Sequence, residues 1–287
     1  MPRLHDEQID VPDALVRGLV DSQFPQWSGL ALRRVASDGT IHRVDRLGDE
    51  LVVRLPFVGW AVEDVGRDAE RLPLLAAVLP VDVPTLEGRG VPADGMPWHW
   101  GVYRWLEGRH PVPGEDDALV ADALAEAVLA MRSMPAVGDP SSAAFDPARD
   151  TERTRPMVVS LGSPAALAAW DAAVSLRPDP APASGWLHGD LMPGNLLLRE
   201  GRLSGIIDWG ASGVGDPALD LLAAWTCLGP DGRSRFLAAL DATERQVTVA
   251  RALAVRKIAW GIGYYKDTLP GFSAVLKHAL RQVEADA

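Results

Sequence analysis

The sequence has a single cysteine, Cys227, among its 287 residues, and it lacks any run of about 18 apolar residues that could cross a bilayer. One cysteine excludes an intramolecular disulfide bond, and the apolar surroundings of Cys227 predict a small buried side chain. The N-terminus also lacks the pattern of a signal peptide. We therefore expect a cytoplasmic protein with no membrane partner.

Lysine is scarce as well, with residues 257, 266 and 277 as its only occurrences. The 28 basic and 39 acidic side chains leave a formal charge of −11. Binding of nucleic acid needs a basic face for the phosphates, so a nucleic-acid partner is not expected. A surface of this charge attracts cations, including polyamine-like substrates, although the same charge also serves simply to keep a protein in solution.

The first hundred residues are rich in strand patterns. Segments 31–36, 41–46 and 51–55 predict three strands, and the turns at 37–40 and 47–50 between them are typical of an antiparallel meander. Three further elements are predicted nearby: a helix at 11–22, a helix at 63–78 and an aromatic-rich strand at 98–105.

Beyond Gly108 the apolar spacing becomes helical. Helices are predicted at 116–132 and from Ser163-Pro164 onward, where a capping residue precedes a proline at the first turn. Segment 134–156, rich in Pro, Ser, Asp and Arg, predicts a long loop, and 177–185 predicts a second connector. We place a lobe boundary here, with an N-terminal lobe at 1–103, a hinge at 104–108 and a helical C-terminal lobe at 109–287.

Segment 186–208 holds the residues with the clearest chemistry. It contains His188-Gly-Asp190, then Asn195, and finally Asp208-Trp-Gly. Strands predicted at 196–198 and 203–207 form a hairpin between Asn195 and Asp208. Because a hairpin brings its two ends together, these two side chains are expected close in space, and Asp190 lies on the loop that enters the hairpin.

Two carboxylates, Asp190 and Asp208, and one amide, Asn195, are thus expected close together, and such a group of side chains suits phosphoryl transfer. One carboxylate orients the attacking hydroxyl and accepts its proton, while the amide oxygen and the other carboxylate hold Mg²⁺ against nucleotide phosphates. Taken singly, Asp190 and Asn195 could equally be turn residues. A zinc site is not supported, because Cys227 is isolated and the six histidines show no ligand spacing.

The order His-Gly-Asp, four residues, Asn, and then Asp-Trp-Gly resembles the catalytic loop and metal-binding triplet of kinases. Together with the following Gly-Val-Gly-Asp216-Pro-Ala-Leu-Asp220, it resembles the aminoglycoside phosphotransferase (antibiotic kinase) family of the protein-kinase-like superfamily. Weaker similarity to that family is found at 23–27, 51–56, 103–108 and 264–268, so the resemblance covers nearly the whole chain.

The resemblance implies a role for each matching residue. Asp190 would be the catalytic base, Asn195 and Asp208 would be metal ligands, and His188 would brace the catalytic loop. Four residues are implied at the nucleotide: Arg54 at the position of the phosphate-gripping lysine, Glu70 as its ion-pair partner, Tyr103 at the start of the adenine-binding hinge, and Trp105 beside that hinge. ATP or GTP would be the phosphoryl donor and Mg²⁺ the cofactor.

Two further acidic residues have a structural interpretation. Asp216 precedes Pro217, which is typical of a helix N-cap followed by proline at the first position. Asp220 lies one turn further on, and we expect it to bond back to the catalytic segment or to the start of the helix.

The sequence departs from the family pattern at three positions. Arg54 replaces a lysine and is not a simple equivalent, although arginine can also grip phosphate. Asp38 stands in the turn 37–40, where relatives carry a second glycine and where its carboxylate would repel a triphosphate. Met192 stands where relatives carry His or another polar residue. None of the three removes the base or a metal ligand.

These observations predict an α+β, two-lobed, protein-kinase-like fold with an antiparallel sheet in the first lobe and a mainly helical second lobe. The predicted function is phosphoryl transfer to a hydroxyl of a cationic, antibiotic-like acceptor, such as an aminoglycoside or a basic peptide antibiotic, giving resistance by inactivation. The acceptor is expected near segment 134–156 and the C-terminal helices. A kinase for a sugar amine, a choline-like alcohol or an amino alcohol is one alternative, and a nucleotide-binding pseudokinase is another.

Overall fold

The computed structural model describes residues 5–35, 41–140, 146–177, 184–265 and 269–286. The chain divides into two compact units, the first made of Met1–Ala77 and Asp82–Glu107, the second of Val78–Val81 and Gly108–Ala287. Within the described ranges, none of the helices combines the length and apolar character that a bilayer-spanning segment needs. The predicted hinge at 104–108 stays a prediction.

The first unit is built on one antiparallel sheet with strand order β1-β2-β3-β5-β4. The meander predicted for its first three strands is confirmed by the pairing of β1 with β2 and of β2 with β3. The elements of this unit are α1 (Asp13–Gln23), β1 (Leu32–Arg34), β2 (His42–Leu47), β3 (Leu51–Pro56), α2 (Asp64–Ala76), β4 (Leu86–Gly90) and β5 (Trp100–Arg104).

One strand of this sheet, β4, was not predicted from the sequence. The segment of β4 reads Leu-Glu-Gly-Arg-Gly, without any β-branched or aromatic residue, so its pairing with β5 decides its conformation. The turn 37–40, including Asp38, lies outside the described residues.

The core of the unit packs one face of the sheet against α1, with Val16 and Val20 from the helix against Val53, Leu55 and Trp100 from the strands.

The second unit is mainly helical, as predicted. Its elements are α3 (Asp117–Arg132), α4 (Pro147–Ser160), α5 (Pro164–Val174), β6 (Gly185–Leu187), β7 (Leu196–Arg199), β8 (Arg202–Ile206), β9 (Gly213–Gly215), α6 (Ala223–Thr226), α7 (Pro230–Ala239), α8 (Glu244–Tyr265) and α9 (Pro270–Ala285). Strand β6 pairs with β9, and β7 pairs with β8.

The prediction of one long loop over 134–156 is wrong for its second half, because α4 begins at Pro147. A proline at the first turn is compatible with a helix. Pro156 inside the segment and its polar composition, however, are not typical of a helix, so the sequence did not predict one. Thr154 and Val158 of α4 are buried in the unit, so tertiary packing overrides the weak local preference. By contrast, the helix start predicted at Ser163 is confirmed, since Ser163 Oγ accepts a hydrogen bond from the Ala166 N–H at 3.4 Å.

The predicted burial of Cys227 is also confirmed. Its thiol lies 3.7 Å from the carbonyl oxygen of Leu191. Burial raises the pKa of Cys227 to about 12, so this thiol remains protonated and inert at neutral pH.

Candidate active site

The β7–β8 hairpin sets the distance between Asn195 and Asp208. Its two-residue turn, Glu200 and Gly201, has positive φ angles of 53° and 73°, the conformation that matches the twist of a tight hairpin. Leu196 pairs with Ile206, and the Ile207 N–H donates to the Asn195 carbonyl oxygen at 2.9 Å. Asp208 therefore follows directly on the residue that is bonded across the hairpin to Asn195.

Asn195 is also tied to the loop that carries Asp190. Its side-chain amide nitrogen donates to the carbonyl oxygen of Asp190 at 2.8 Å. The amide oxygen of Asn195 is thus the side-chain atom not used in this bond, and the carboxylate of Asp208 is half-buried. Asp208 itself has left-handed backbone angles of φ 63° and ψ 66°, at the point where β8 ends.

His188 joins the two segments that carry these residues. Its ring is fully buried, Nδ1 accepts a hydrogen bond from the Asp190 N–H at 3.2 Å, and Nε2 donates to the Ile207 carbonyl oxygen at 3.0 Å. The ring of Trp209 packs against it with centroids 4.6 Å apart. One imidazole thus fixes the backbone of Asp190 relative to the backbone that leads into Asp208.

Asp220 binds the backbone of the same loop. Its two carboxylate oxygens accept from the N–H groups of His188 and Gly189 at 2.9 and 2.8 Å. Burial raises the pKa of Asp220, and the hydrogen bonds from the two backbone N–H groups oppose that rise. Asp216 lies at the N-cap of the short helical turn Pro217–Leu222 and accepts from the Ala218 N–H at 2.8 Å. Both residues position backbone in this structure.

Lys257 completes the surroundings of Asp190 and was not singled out from the sequence. It extends from α8, and its ammonium group binds Oδ1 of Asp190. Both side chains are partly exposed, at 28% for Lys257 and 32% for Asp190. The two residues lie 67 positions apart, so no local sequence pattern predicts their contact. The rarity of lysine in this chain was the one feature of the sequence that could have drawn attention to Lys257.

Arg54 belongs to a separate, buried cluster in the first unit. Its guanidinium lies 3.6 Å from Oδ2 of Asp68 and 3.3 Å from Nδ1 of His42. The hydroxyl of Tyr103 donates to the same Asp68 oxygen at 2.7 Å. Burial, followed by the charge of Asp68, raises the pKa of Tyr103 well above its ordinary value.

The predicted pairing of Arg54 with Glu70 is therefore corrected to Asp68. Asp68 lies on the buried face of α2, together with Asp64 one turn earlier and Leu72 one turn later. Glu70 is two residues away and faces solvent, because two residues correspond to about 200° around a helix. A choice among several nearby acidic residues needed the phase of the helix as well as its position.

The predicted hinge residues lie in different settings. Tyr103 is on β5 and is buried, with its ring lying over Gly101, where an added Cβ would come within 2.4 Å of the ring. Trp105 follows β5; its backbone N–H donates to the Glu50 carbonyl oxygen at 2.7 Å, and the guanidinium of Arg46 lies 4.5 Å above its ring. A nucleotide contact from Tyr103 or Trp105 stays a prediction.

The donor set suits Mg²⁺. Asn195 and Asp208 offer an amide and a carboxylate oxygen, and Mg²⁺ is usually held by one or two such groups together with water and substrate phosphates. Among the described residues no cluster of three or more His, Cys, Asp or Glu side chains forms a complete metal cage. A site with few protein ligands thus fits a metal that arrives with a nucleotide.

The fold and this site together define a kinase-like phosphotransferase. The model of the phosphotransferase enzyme family (APH) matches residues 32–258, well over half of the chain, and the chain therefore belongs to that family. The predicted family and fold class are thereby confirmed.

Two relatives in sequence differ greatly in how much of the chain they match. Uncharacterized protein YcbJ of Bacillus subtilis (strain 168) is 26% identical over 214 residues, which are 69% of each chain. An aminoglycoside 3'-phosphotransferase of Escherichia coli is 43% identical, but over only 53 residues, or 18% of each chain.

Solved structures extend the likeness to almost the whole chain. The GDP complex of wild-type aminoglycoside 2'-phosphotransferase-IIIa matches with a TM-score of 0.71 at 17% identity, covering 96% of this chain and 99% of that one. The macrolide 2'-phosphotransferase MphH from Brachybacterium faecium matches with a TM-score of 0.61 at 21% identity, covering 95% and 98%. At these identities the likeness shows a shared fold.

Proposed function

We propose that the protein transfers the γ-phosphoryl group of ATP or GTP to a hydroxyl of a small, antibiotic-like molecule, with Asp190 as the base. One observation carries the proposal: Asp190, Asn195 and Asp208 are linked into one constellation through the hairpin and the ring of His188. Phosphorylation of such an acceptor would inactivate it and confer resistance.

In the proposed reaction the acceptor oxygen attacks the γ-phosphorus in line. The bond from that phosphorus to the bridging oxygen breaks, and the nucleoside diphosphate leaves. Asp190 orients the acceptor hydroxyl and takes its proton, for which one carboxylate oxygen suffices. Within the described ranges no side chain is bonded to the second oxygen of Asp190, Oδ2, whereas Lys257 binds Oδ1.

Asn195 and Asp208 would hold Mg²⁺ through their oxygens, and this metal would neutralise charge on the transferred phosphate. Arg54 is suited to gripping phosphate, because Asp68 and His42 restrict its guanidinium and arginine presents several donors in a fixed plane. We assign nucleotide binding to residues 1–103, the hinge to 104–108 and acceptor binding to 109–287.

Two rival functions share the fold. A kinase for a sugar amine, a choline-like alcohol or an amino alcohol would use the same catalytic residues, so the acceptor alone separates it from an antibiotic kinase. A pseudokinase would bind nucleotide without turnover. The presence of the base and of both metal-ligand candidates favours an active enzyme.

The test measures nucleotide consumption with Mg²⁺ and either ATP or GTP across aminoglycosides, basic peptide antibiotics, macrolides, sugar amines and amino alcohols. Asp190→Asn is expected to lower kcat about 10³-fold while nucleotide still binds, since a positioned base contributes roughly 10² to 10⁴. Asp94→Asn changes an exposed carboxylate in the first unit and is the matched control. Full turnover by Asp190→Asn would refute the assigned base, and binding without turnover of any acceptor would favour the pseudokinase.

A further inference from the structure

The ammonium group of Lys257 binds one carboxylate oxygen of Asp190, the residue proposed as the base. A carboxylate that stands beside an acceptor site attracts any ammonium group on that acceptor. Here the chain supplies its own ammonium group to Oδ1 of Asp190. An ammonium group beside the reacting hydroxyl of an acceptor would therefore meet a carboxylate whose charge Lys257 already offsets, and it would gain little attraction there.

The helix that carries Lys257 has a net positive charge. Helix α8 has four basic residues and one acidic residue, Glu244, which gives a formal charge of +3. Helix α4 has three basic and two acidic residues, which gives +1. The complete chain has a charge of −11, so these two helices differ in sign from the protein to which they belong.

Two residues of α8 close to Lys257 in sequence are held by contacts with α4. Arg256, the neighbour of Lys257, binds Asp150 of α4 at 3.2 Å. One turn further along α8, the indole N–H of Trp260 donates to Oγ1 of Thr154 at 3.3 Å, and the guanidinium of Arg153 lies 4.2 Å above the same indole ring. One turn beyond Lys257 along α8, the side chains are thus the indole ring of Trp260 and the guanidinium of Arg153 stacked on it.

We propose that Lys257 is a specificity-determining residue that selects acceptors with no ammonium group beside the reacting hydroxyl. This inference rests on the proposed phosphoryl transfer, and it narrows the acceptor to molecules that are uncharged or anionic at the reacting end. The acidic charge of the whole chain favoured a cationic acceptor, but at Asp190 the ammonium group of Lys257 offsets the charge of the carboxylate that would otherwise attract such an acceptor.

The first experiment measures binding and needs no turnover. Isothermal titration with spermine compares the wild type with Lys257→Met, Lys257→Arg and the matched control Lys277→Met, which removes an exposed lysine from α9. Lys257→Met is expected to bind spermine about tenfold more tightly than the wild type, while Lys257→Arg and Lys277→Met bind as the wild type does. The double variant Lys257→Met, Asp190→Asn should lose the gain.

The second experiment measures kcat/KM for kanamycin A and for its fully N-acetylated form, which keeps the hydroxyls and lacks the charges. The wild type is expected to favour the acetylated form, and Lys257→Met should shift the ratio about tenfold toward kanamycin A. Unchanged spermine binding in Lys257→Met would overturn the inference. Absence of turnover with every acceptor, together with the expected spermine result, would instead refute the proposed function alone.

Discussion

Two pairs of a carboxylate and a cation, one in each unit, show how burial changes what the same chemistry does. Asp68 is 3% exposed and receives both the guanidinium of Arg54 and the hydroxyl of Tyr103. Asp190 is 32% exposed and meets Lys257 through one oxygen. The buried carboxylate is held by several partners, whereas the open one is bound by Lys257 through one oxygen, which leaves the other for the proposed acceptor.

The difference follows from solvation. A buried charge must be matched by partners, because its desolvation costs several kcal/mol, so the Asp68 cluster is strongly coupled to stability. A pair open to water contributes little to stability, so we expect the Lys257–Asp190 contact to matter for the proposed function more than for folding. The following four predictions test this contrast, in order of decreasing effect.

Asp68→Ala should have the largest effect. It removes the carboxylate that Arg54 and Tyr103 share, so the free energy of unfolding should fall by about 3 kcal/mol, and the KM for nucleotide should rise about tenfold. Glu70→Ala, on the exposed side of the same helix, is the control and should change neither quantity. Denaturant unfolding and steady-state kinetics provide the measurements. Equal effects of the two variants would mean that Asp68 is not the partner of Arg54.

Gly101→Ala tests the packing of the same cluster without changing a charge. The added Cβ would meet Cε2 of Tyr103 at 2.4 Å, so the ring and its hydrogen bond to Asp68 must move. We expect a loss of about 2 kcal/mol in the free energy of unfolding, as for an overpacked core. When the ring is removed by Tyr103→Ala, the further change Gly101→Ala should cost less than it does in the wild type. Purely additive losses would contradict the contact.

Asp116 provides a pair of intermediate exposure in the second unit. The guanidinium of Arg109 binds both of its oxygens, at 2.6 and 2.7 Å, and the Val112 N–H adds a bond at 2.8 Å. These bonds, led by that from Arg109, lower the pKa of Asp116 from 3.8 to about 2.

Because the folded-state pKa lies below the unfolded value, the stabilisation is present above pH 3.8 and is lost as the pH falls toward 2. Arg109 is largely in solvent, so we expect about 1 kcal/mol. Urea unfolding of the wild type and of Asp116→Asn should differ by this amount at pH 6 and converge near pH 2. A difference that stayed constant with pH would contradict the assignment.

The smallest effect is expected for Lys257→Met. The free energy of unfolding should change by less than about 0.5 kcal/mol, because the pair with Asp190 is open to solvent. Thermal and urea unfolding beside Lys277→Met measure it. A loss of 2 kcal/mol or more would make Lys257 a structural residue and remove the contrast between the two pairs.

Local patterns were sufficient for the parts of the molecule that local geometry determines. The order of motifs in 188–208 predicted the hairpin, because a two-residue turn between apolar strands has few other solutions. The meander of the first three strands and the cap at Ser163 were predicted for the same reason. Each of these features depends on residues less than about twenty positions apart.

Features that depend on distant packing could not be predicted in this way. Helix α4 forms in a segment with unfavourable composition because its buried face packs within the second unit. The contact between Lys257 and Asp190 spans 67 positions and comes from the docking of α8 near the loop that carries Asp190. The choice of Asp68 over Glu70 depended on which side of α2 faces the sheet.

The left-handed backbone at Asp208 has a consequence for how this position tolerates change. Glycine, asparagine and aspartate are the residues that adopt this conformation with little steric cost, and aspartate is the one among them that carries a charge. Glycine and asparagine at position 208 are therefore expected to preserve folding, and both would remove the carboxylate. Even glutamate, which keeps the charge, would meet the backbone penalty. Position 208 would thus separate the requirements of folding from those of the proposed metal binding.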